Sequence, residues 1–367
     1  MTQDVFPVAT LKSLADSHRT AFVNLLTVEK ALKKRFYGLD DAIHALMLAT
    51  ACREPLLLIG PPGTAKSHLI RAFCNYLGIK VPERRDDGST NGAATTAGEW
   101  QDAHYFEYLL TPFTEPGELF GYYDITVLKE KGHYVRSDEG MIQKARVVYL
   151  DEVFNASSAI LNSMLALLNE GRFHDRNTIV KANWQLMLGA TNALPDSDAL
   201  RAVFDRFLLR CQVDNVQVNQ GPEELTNLLQ VGWPETYRGG ARADSVAAFP
   251  TLLNDLESFR LDVGRLVAAG LTVQPASPFY GALVTLVNLA RDRYQLSDMS
   301  NRRLIKFLFV MMVHAIYRYI GSGGDTQALC LGDEELHLLR RYGMDRRDDL
   351  ADMALSELIR SNPERGR

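Results

Sequence analysis

Lys66 and Ser67 close the run Gly60-Pro61-Pro62-Gly63-Thr64-Ala65 and open the helical spacing Leu69, Ile70, Phe73. A glycine-bearing turn of this kind lets successive backbone N–H groups point inward at phosphate oxygens. The Lys66 ammonium can reach β- and γ-phosphates, and the Ser67 hydroxyl can ligand Mg²⁺. His68 follows in the same first helical turn and completes the candidate phosphate-binding set. The strict spacing has glycine where Ala65 stands; alanine has the smallest side chain with a Cβ, so a right-handed backbone there would still allow close approach. The plain alternative is a tight strand-to-helix turn that binds nothing.

A second group of residues suits the same chemistry. Val147-Val148-Tyr149-Leu150 is an apolar run ending in Asp151-Glu152. Asp151 is placed to hold Mg²⁺, and Glu152 to polarise an attacking water. Asn192 ends a further apolar run, where its amide can position that water; Asn-Ala-Leu-Pro is equally good turn chemistry. Arg206, in Phe204-Asp205-Arg206-Phe207, is placed to face a neighbouring subunit and stabilise phosphoryl charge. Its alternative is a surface pair with Asp205, worth little. Arg302, near a helix N-terminus that disfavours cations, is a candidate γ-phosphate reader, ahead of Arg303.

The elements that position these groups follow from periodicity. Leu56-Leu57-Leu58-Ile59, Tyr105–Leu110, Val147–Leu150, Gln185–Ala190 and Phe207–Val213 read as strands. The helical pattern Ile160, Leu161, Met164, Leu165, Leu168 follows the acid pair. Alternating strands and helices imply an α/β fold with a parallel sheet, whose ligands bind beyond the carboxyl ends of the strands. Thr10 to about Arg53 reads as helical, broken at Arg35–Asp41. Glu83–Glu99 reads as a polar loop. From Gly221 onward the pattern is all-helical, with a turn at Gly239-Gly240, starts at Pro222, Ser277 and Ser300, and a flexible joint at Gly321-Ser322-Gly323-Gly324.

Composition sets outer limits. The chain has 367 residues, 46% of them hydrophobic and 23% charged, which is ordinary for a globular protein. A net charge of -5 argues against a dedicated nucleic-acid binder. Cys52, Cys74, Cys211 and Cys330 have no paired spacing and read as small core residues in a reducing compartment. No signal-peptide core stands at the N-terminus. The most apolar stretch, Leu304–Ile316, is interrupted by Lys306 and His314 and is short for a bilayer. A cytoplasmic location is expected.

Together, Gly60–Ser67, Val148–Glu152, Gly189–Asn192 and Phe204–Phe207 resemble the AAA+ ATPases, most closely the MoxR group and within it the RavA-like branch. Ala before the loop lysine is common in that group. The run from Asp151-Glu152-Val153-Phe154-Asn155 through Leu168-Asn169-Glu170 is especially similar. The resemblance covers about Leu25–Tyr319. It implies an AAA+ P-loop sheet domain over 1–220, an all-α lid over 221–320 and a short helical tail over 321–367. It further implies ATP and Mg²⁺ as cofactors, a homo-oligomeric, hexameric ring, and a protein client. A von Willebrand factor A protein is the partner class it points to. Two insertions are implied, a helix-2 insert hairpin over 121–141 and a hairpin over 173–184, both turned toward the client. Tyr37-Gly38 would lie beside the adenine. A nucleic-acid motor of the same clade and a nucleotide-gated scaffold with little turnover stay open as alternatives.

Overall fold

The computed structural model describes residues 4–81, 104–175, 178–195, 198–216, 222–237, 246–274, 277–297, 299–346 and 348–360. The polar stretch 83–99, the turn at Arg176-Asn177 and Gly239-Gly240 lie outside the described residues.

The strands are β1 (Leu56–Ile59), β2 (Tyr105–Leu109), β3 (Val147–Asp151), β4 (Arg172–Asp175), β5 (Thr178–Lys181), β6 (Leu186–Thr191) and β7 (Leu209–Gln212), with β1, β3 and β6 the most apolar. Five of them form one parallel sheet in the order β2-β3-β6-β1-β7. β1 lies between β6 and β7, and Ile59 pairs with both Thr191 and Gln212, so the loops after β1 and β6 leave the sheet at one level. Strand alternation splits the core. Leu56, Leu58, Val147, Tyr149 and Leu188 face one apolar cluster, and Leu57, Ile59, Val148, Leu150 and Met187 face another.

The first face carries α2 (Arg19–Arg35), α3 (Asp40–Cys52) and α4 (Lys66–Tyr76), preceded by α1 (Val8–Ser17). The opposite face carries α5 (Pro116–Phe120), α7 (Ser158–Glu170) and α8 (Asp198–Phe204). α7 begins at Ser157, whose hydroxyl accepts the Ile160 N–H, and ends at left-handed Gly171.

The chain then turns helical: α9 (Pro222–Tyr237), α10 (Leu252–Ala268), α11 (Phe279–Asn288), α12 (Asn301–Gly321), α13 (Asp333–Tyr342) and α14 (Asp349–Arg360). The α12 core is seated on α2 and α3, and one apolar cluster runs from Val5 to Ile359. Phe22 meets Phe259 edge-to-face at 5.1 Å, an arrangement worth about 1 kcal/mol beyond its buried area. A polar knot crosses the same junction. The Glu29 carboxylate takes hydrogen bonds from His44 (3.0 Å) and Tyr317 and an ion pair from Lys33 (2.9 Å). Buried His314 meets buried Glu335 at 2.9 Å.

Three expectations change. The joint at 321–324 is a hydrogen-bonded helix end, with Gly323 and Gly324 at positive φ and the Gly324 N–H on Tyr319 O at 2.9 Å. The tail beyond it packs on the main core through Leu336, Leu339 and Leu355. The segment 121–141 is not a strand hairpin. Asp124 accepts N–H bonds from Thr126 (2.8 Å) and Val127 (3.1 Å) and starts α6 (Ile125–Lys131), which ends at left-handed Gly132. One antiparallel bridge, Tyr123 to Arg136, closes its base. Finally, α12 is 21 residues long and apolar enough to cross a membrane by length and composition, but 61% of its apolar window is buried within the fold. Its Lys306 pairs with Glu54 at 2.6 Å. The hairpin expected at 173–184 is present as β4 and β5.

Candidate functional site

The loop between β1 and α4 begins at Gly60, whose N–H donates to Thr191 O at 3.0 Å. A Cβ at Gly60 would stand 2.0 Å from Val213 O, so glycine is required for β6, β1 and β7 to converge there. Thr64 Oγ1 bonds back to Pro61 O at 3.0 Å and tightens the turn. Pro61, Pro62 and Gly63 are exposed at its crest. Ala65 is left-handed (φ 57°), not the right-handed backbone that an alanine would most readily take there. Its carbonyl closes the first helical bond, from the Leu69 N–H at 2.9 Å, while the preceding loop curls the other way. No side chain caps α4 and no acid stands in its first turn. That leaves a helix N-terminus with its N–H groups suited to an anion.

The Lys66 ammonium is held by Gly60 O (2.8 Å), Pro61 O (2.9 Å) and Thr64 Oγ1 (3.1 Å). Burial lowers its pKa, against the opposing charges of Asp151 and Glu152. A partly desolvated cation beside two carboxylates at a helix N-terminus fits a phosphate group. Ser67 and Asp151 are hard oxygen donors, the ligand type Mg²⁺ takes.

The acid pair ends β3. Glu152 is also left-handed (φ 52°), and its N–H donates to Asp151 Oδ1 at 3.1 Å. Burial and the Asp151 charge raise the Glu152 pKa, while Lys66 and a hydrogen bond from the Asn192 backbone N–H oppose them. β3 and β6 are sheet neighbours, paired from Val147–Leu186 to Leu150–Gly189, which sets Glu152 and Asn192 at the same edge. The Asn192 side chain is exposed, next to Thr191, whose hydroxyl donates to Ala193 O at 2.8 Å. The Asn155 amide reaches Glu152 at 3.4 Å.

The α2–α3 joint approaches from the side. Phe36 meets His68 edge-to-face at 5.5 Å, which brings Tyr37-Gly38 near the first turn of α4. The Tyr37 hydroxyl donates to Glu224 on α9, and Glu224 raises its pKa. Gly38 holds φ 77° against Val216.

Arg206 and Arg302 are elsewhere. Arg206 precedes β7, whose Leu209 pairs with Leu56, so it lies at the amino end of the sheet, opposite the phosphate loop. It pairs with Asp205 at 3.2 Å. The start of α12 is fixed at that same end by Lys306–Glu54 and by Arg303, whose Nε is 3.8 Å from Asp205. Arg302 is exposed there, within electrostatic reach of Glu54. It therefore does not close over its own chain's loop. Arg303 is buried, donating to Gly343 O at 2.8 Å and Asp345 at 2.9 Å, and serves packing.

One site residue escaped the sequence reading. Tyr149 Oη is 3.1 Å from Ser67 Oγ. Burial raises its pKa, so the phenol stays neutral. Strand alternation was the available signal, since Tyr149 and Asp151 share a face of β3.

Residues 23–83 and 93–256 match the model of the MoxR domain found in MoxR–vWA–β-propeller ternary systems. The chain belongs to the MoxR family. Its relatives include two uncharacterized proteins of Methanocaldococcus jannaschii, MJ0812 and MJ0079, each 32% identical over 209 residues, 57% of this chain and 50% and 49% of theirs. The structural protein ORF618 of Acidianus two-tailed virus is 27% identical over 180 residues, 49% of this chain and 26% of that protein. The chain thus spans about half the length, or less, of the curated relatives it matches. A crystal structure of a proposed ATPase from Cytophaga hutchinsonii shares the fold, with TM-score 0.55 and 14% identity over 96% of this chain and 97% of that one. MoxR membership and the five-stranded sheet order make this a MoxR-type AAA+ domain with an α-helical C-terminal region.

Proposed function

We propose that this MoxR protein hydrolyses ATP with Mg²⁺ in a hexameric ring and uses the cycle to remodel a partner protein. The observation that carries the reading is the convergence of Lys66, Ser67, Asp151, Glu152 and the Asn192 N–H at the carboxyl edge of the sheet. In this reading Lys66 and the loop amides bind the phosphates, and Ser67 and Asp151 hold the metal. Bound Mg²⁺ would neutralise phosphate charge. Glu152 takes the proton of the attacking water, a task its raised pKa suits. The Asn192 amide orients that water, and Tyr37-Gly38 lines the adenine.

Arg206 and Arg302 stand at the opposite edge, so both serve a neighbour's phosphates in trans. The insert presents exposed Tyr122, Ile125, Tyr134 and Val135, a surface that favours a protein client over nucleic acid. The ternary systems in which the matching MoxR domains occur make a von Willebrand factor A protein the first partner to test.

Subunit mixing tests the ring. Arg206→Ala and Lys66→Ala proteins should each lose about a thousandfold of turnover, and their mixture should regain part of it. No recovery in mixed, assembled protein rejects the trans role.

A further inference from the structure

Tyr149 is a fully buried side chain on β3 whose hydroxyl has a defined neighbour, Ser67 Oγ at 3.1 Å. Ser67 stands in the first turn of α4, and Asp151 follows Tyr149 by two residues on the same strand face, its charge acting on the phenol. The phenol thus lies between the two oxygen donors assigned to the metal, one on a helix and one on a strand. A serine hydroxyl that gives a lone pair to a cation becomes a stronger proton donor, and its proton needs an acceptor. Ser67 has that acceptor in Tyr149 Oη. A phenylalanine would fill the same volume and leave the Ser67 proton unanswered.

We infer that Tyr149 is a positioning residue for the divalent cation, fixing the Ser67 hydroxyl through this hydrogen bond so that its lone pair is offered to the metal. The inference rests on the Mg-ATP reading above. Partners one step behind a metal ligand set its orientation, and removing one weakens metal binding by about tenfold or more.

The test is binding of a fluorescent N-methylanthraniloyl-ADP by the full chain, in EDTA and across a Mg²⁺ titration. In Tyr149→Phe the Mg²⁺ concentration at half-effect should rise about tenfold. Binding in EDTA and the thermal midpoint should stay at wild-type values. A double-mutant cycle makes the route explicit. Ser67→Ala should raise the Mg²⁺ requirement, and adding Tyr149→Phe to it should raise it no further. A Phe variant with a wild-type Mg²⁺ response overturns the inference, as does equal loss of binding in EDTA, or additivity in the cycle. Wild-type protein whose nucleotide binding ignores Mg²⁺ overturns the Mg-ATP reading itself.

Discussion

Ala65 and Glu152, the residue before the loop lysine and the acid after β3, both hold left-handed backbone, at φ 57° and 52°. The two are on separate loops at the same edge of the sheet. For residues with a Cβ this conformation costs about 1–2 kcal/mol each, and such strain concentrates where a loop is shaped around a ligand.

The sign of a single substitution reads this out. Ala65→Gly removes the left-handed penalty but adds chain entropy of about 0.5–1 kcal/mol to the unfolded state. A net stabilisation of up to about 1 kcal/mol is expected in urea denaturation. Were Ala65 right-handed, the same change would destabilise the protein.

Glu152→Gln should keep ATP binding and lower turnover by about a hundredfold or more, while Lys66→Ala should lose nucleotide binding. The stability effect has a definite sign. Glu152 has a raised pKa, so its ionised form costs stability that is absent below the usual glutamate range and present above it. At neutral pH the Gln variant should therefore melt higher than wild type, and the difference should shrink as the pH falls below that range. The acid limb of the turnover profile should also be shifted upward from that of an ordinary glutamate.

Glu29 carries the opposite sign. Burial pushes its pKa up, but His44, Tyr317 and Lys33 outweigh this and hold it at about 2. Its contribution is present above the ordinary glutamate pKa and is lost as pH falls toward 2. Glu29→Gln should cost about 3 kcal/mol at neutral pH by denaturant unfolding. Near pH 2 the variant and wild type should converge.

Arg302 and Arg303 are neighbours with separate tasks. Arg303→Ala should destabilise the fold by about 3 kcal/mol, because it leaves Asp345 and the buried Arg210 it shares with an altered charge balance. Arg302→Ala should leave the thermal midpoint within about a degree, as expected of an exposed side chain, and lower only the turnover of assembled protein. Calorimetry beside an ATPase assay separates the two.

Much of the site was legible because its residue types are tied to strand ends. A lysine after a glycine turn and acids after an apolar run have few other places to go. What escaped depended on tertiary placement. The handedness of Ala65 follows from how the loop meets α4, which no single residue type reports. The hairpin that the resemblance implied over 121–141 also suits the strand-like alternation of Ile125 and Val127. The stronger local signal was Asp124 at a helix start and Gly132 at its end. Arg302 sits where α12 docks, and that docking depends on Glu54 and Asp205, far away in sequence.

The cluster that unites Leu11 with Ile359 bears on how work would be done. A helical part that hinged freely over the nucleotide would have to open this shared interior and part the Glu29 carboxylate from Tyr317. Among the described residues, the shared cluster ties the helical part to the sheet's first face. In the ring proposed above, motion would be cheapest at the seams between protomers, where Arg206 and Arg302 of one chain are proposed to meet the next chain's phosphate loop.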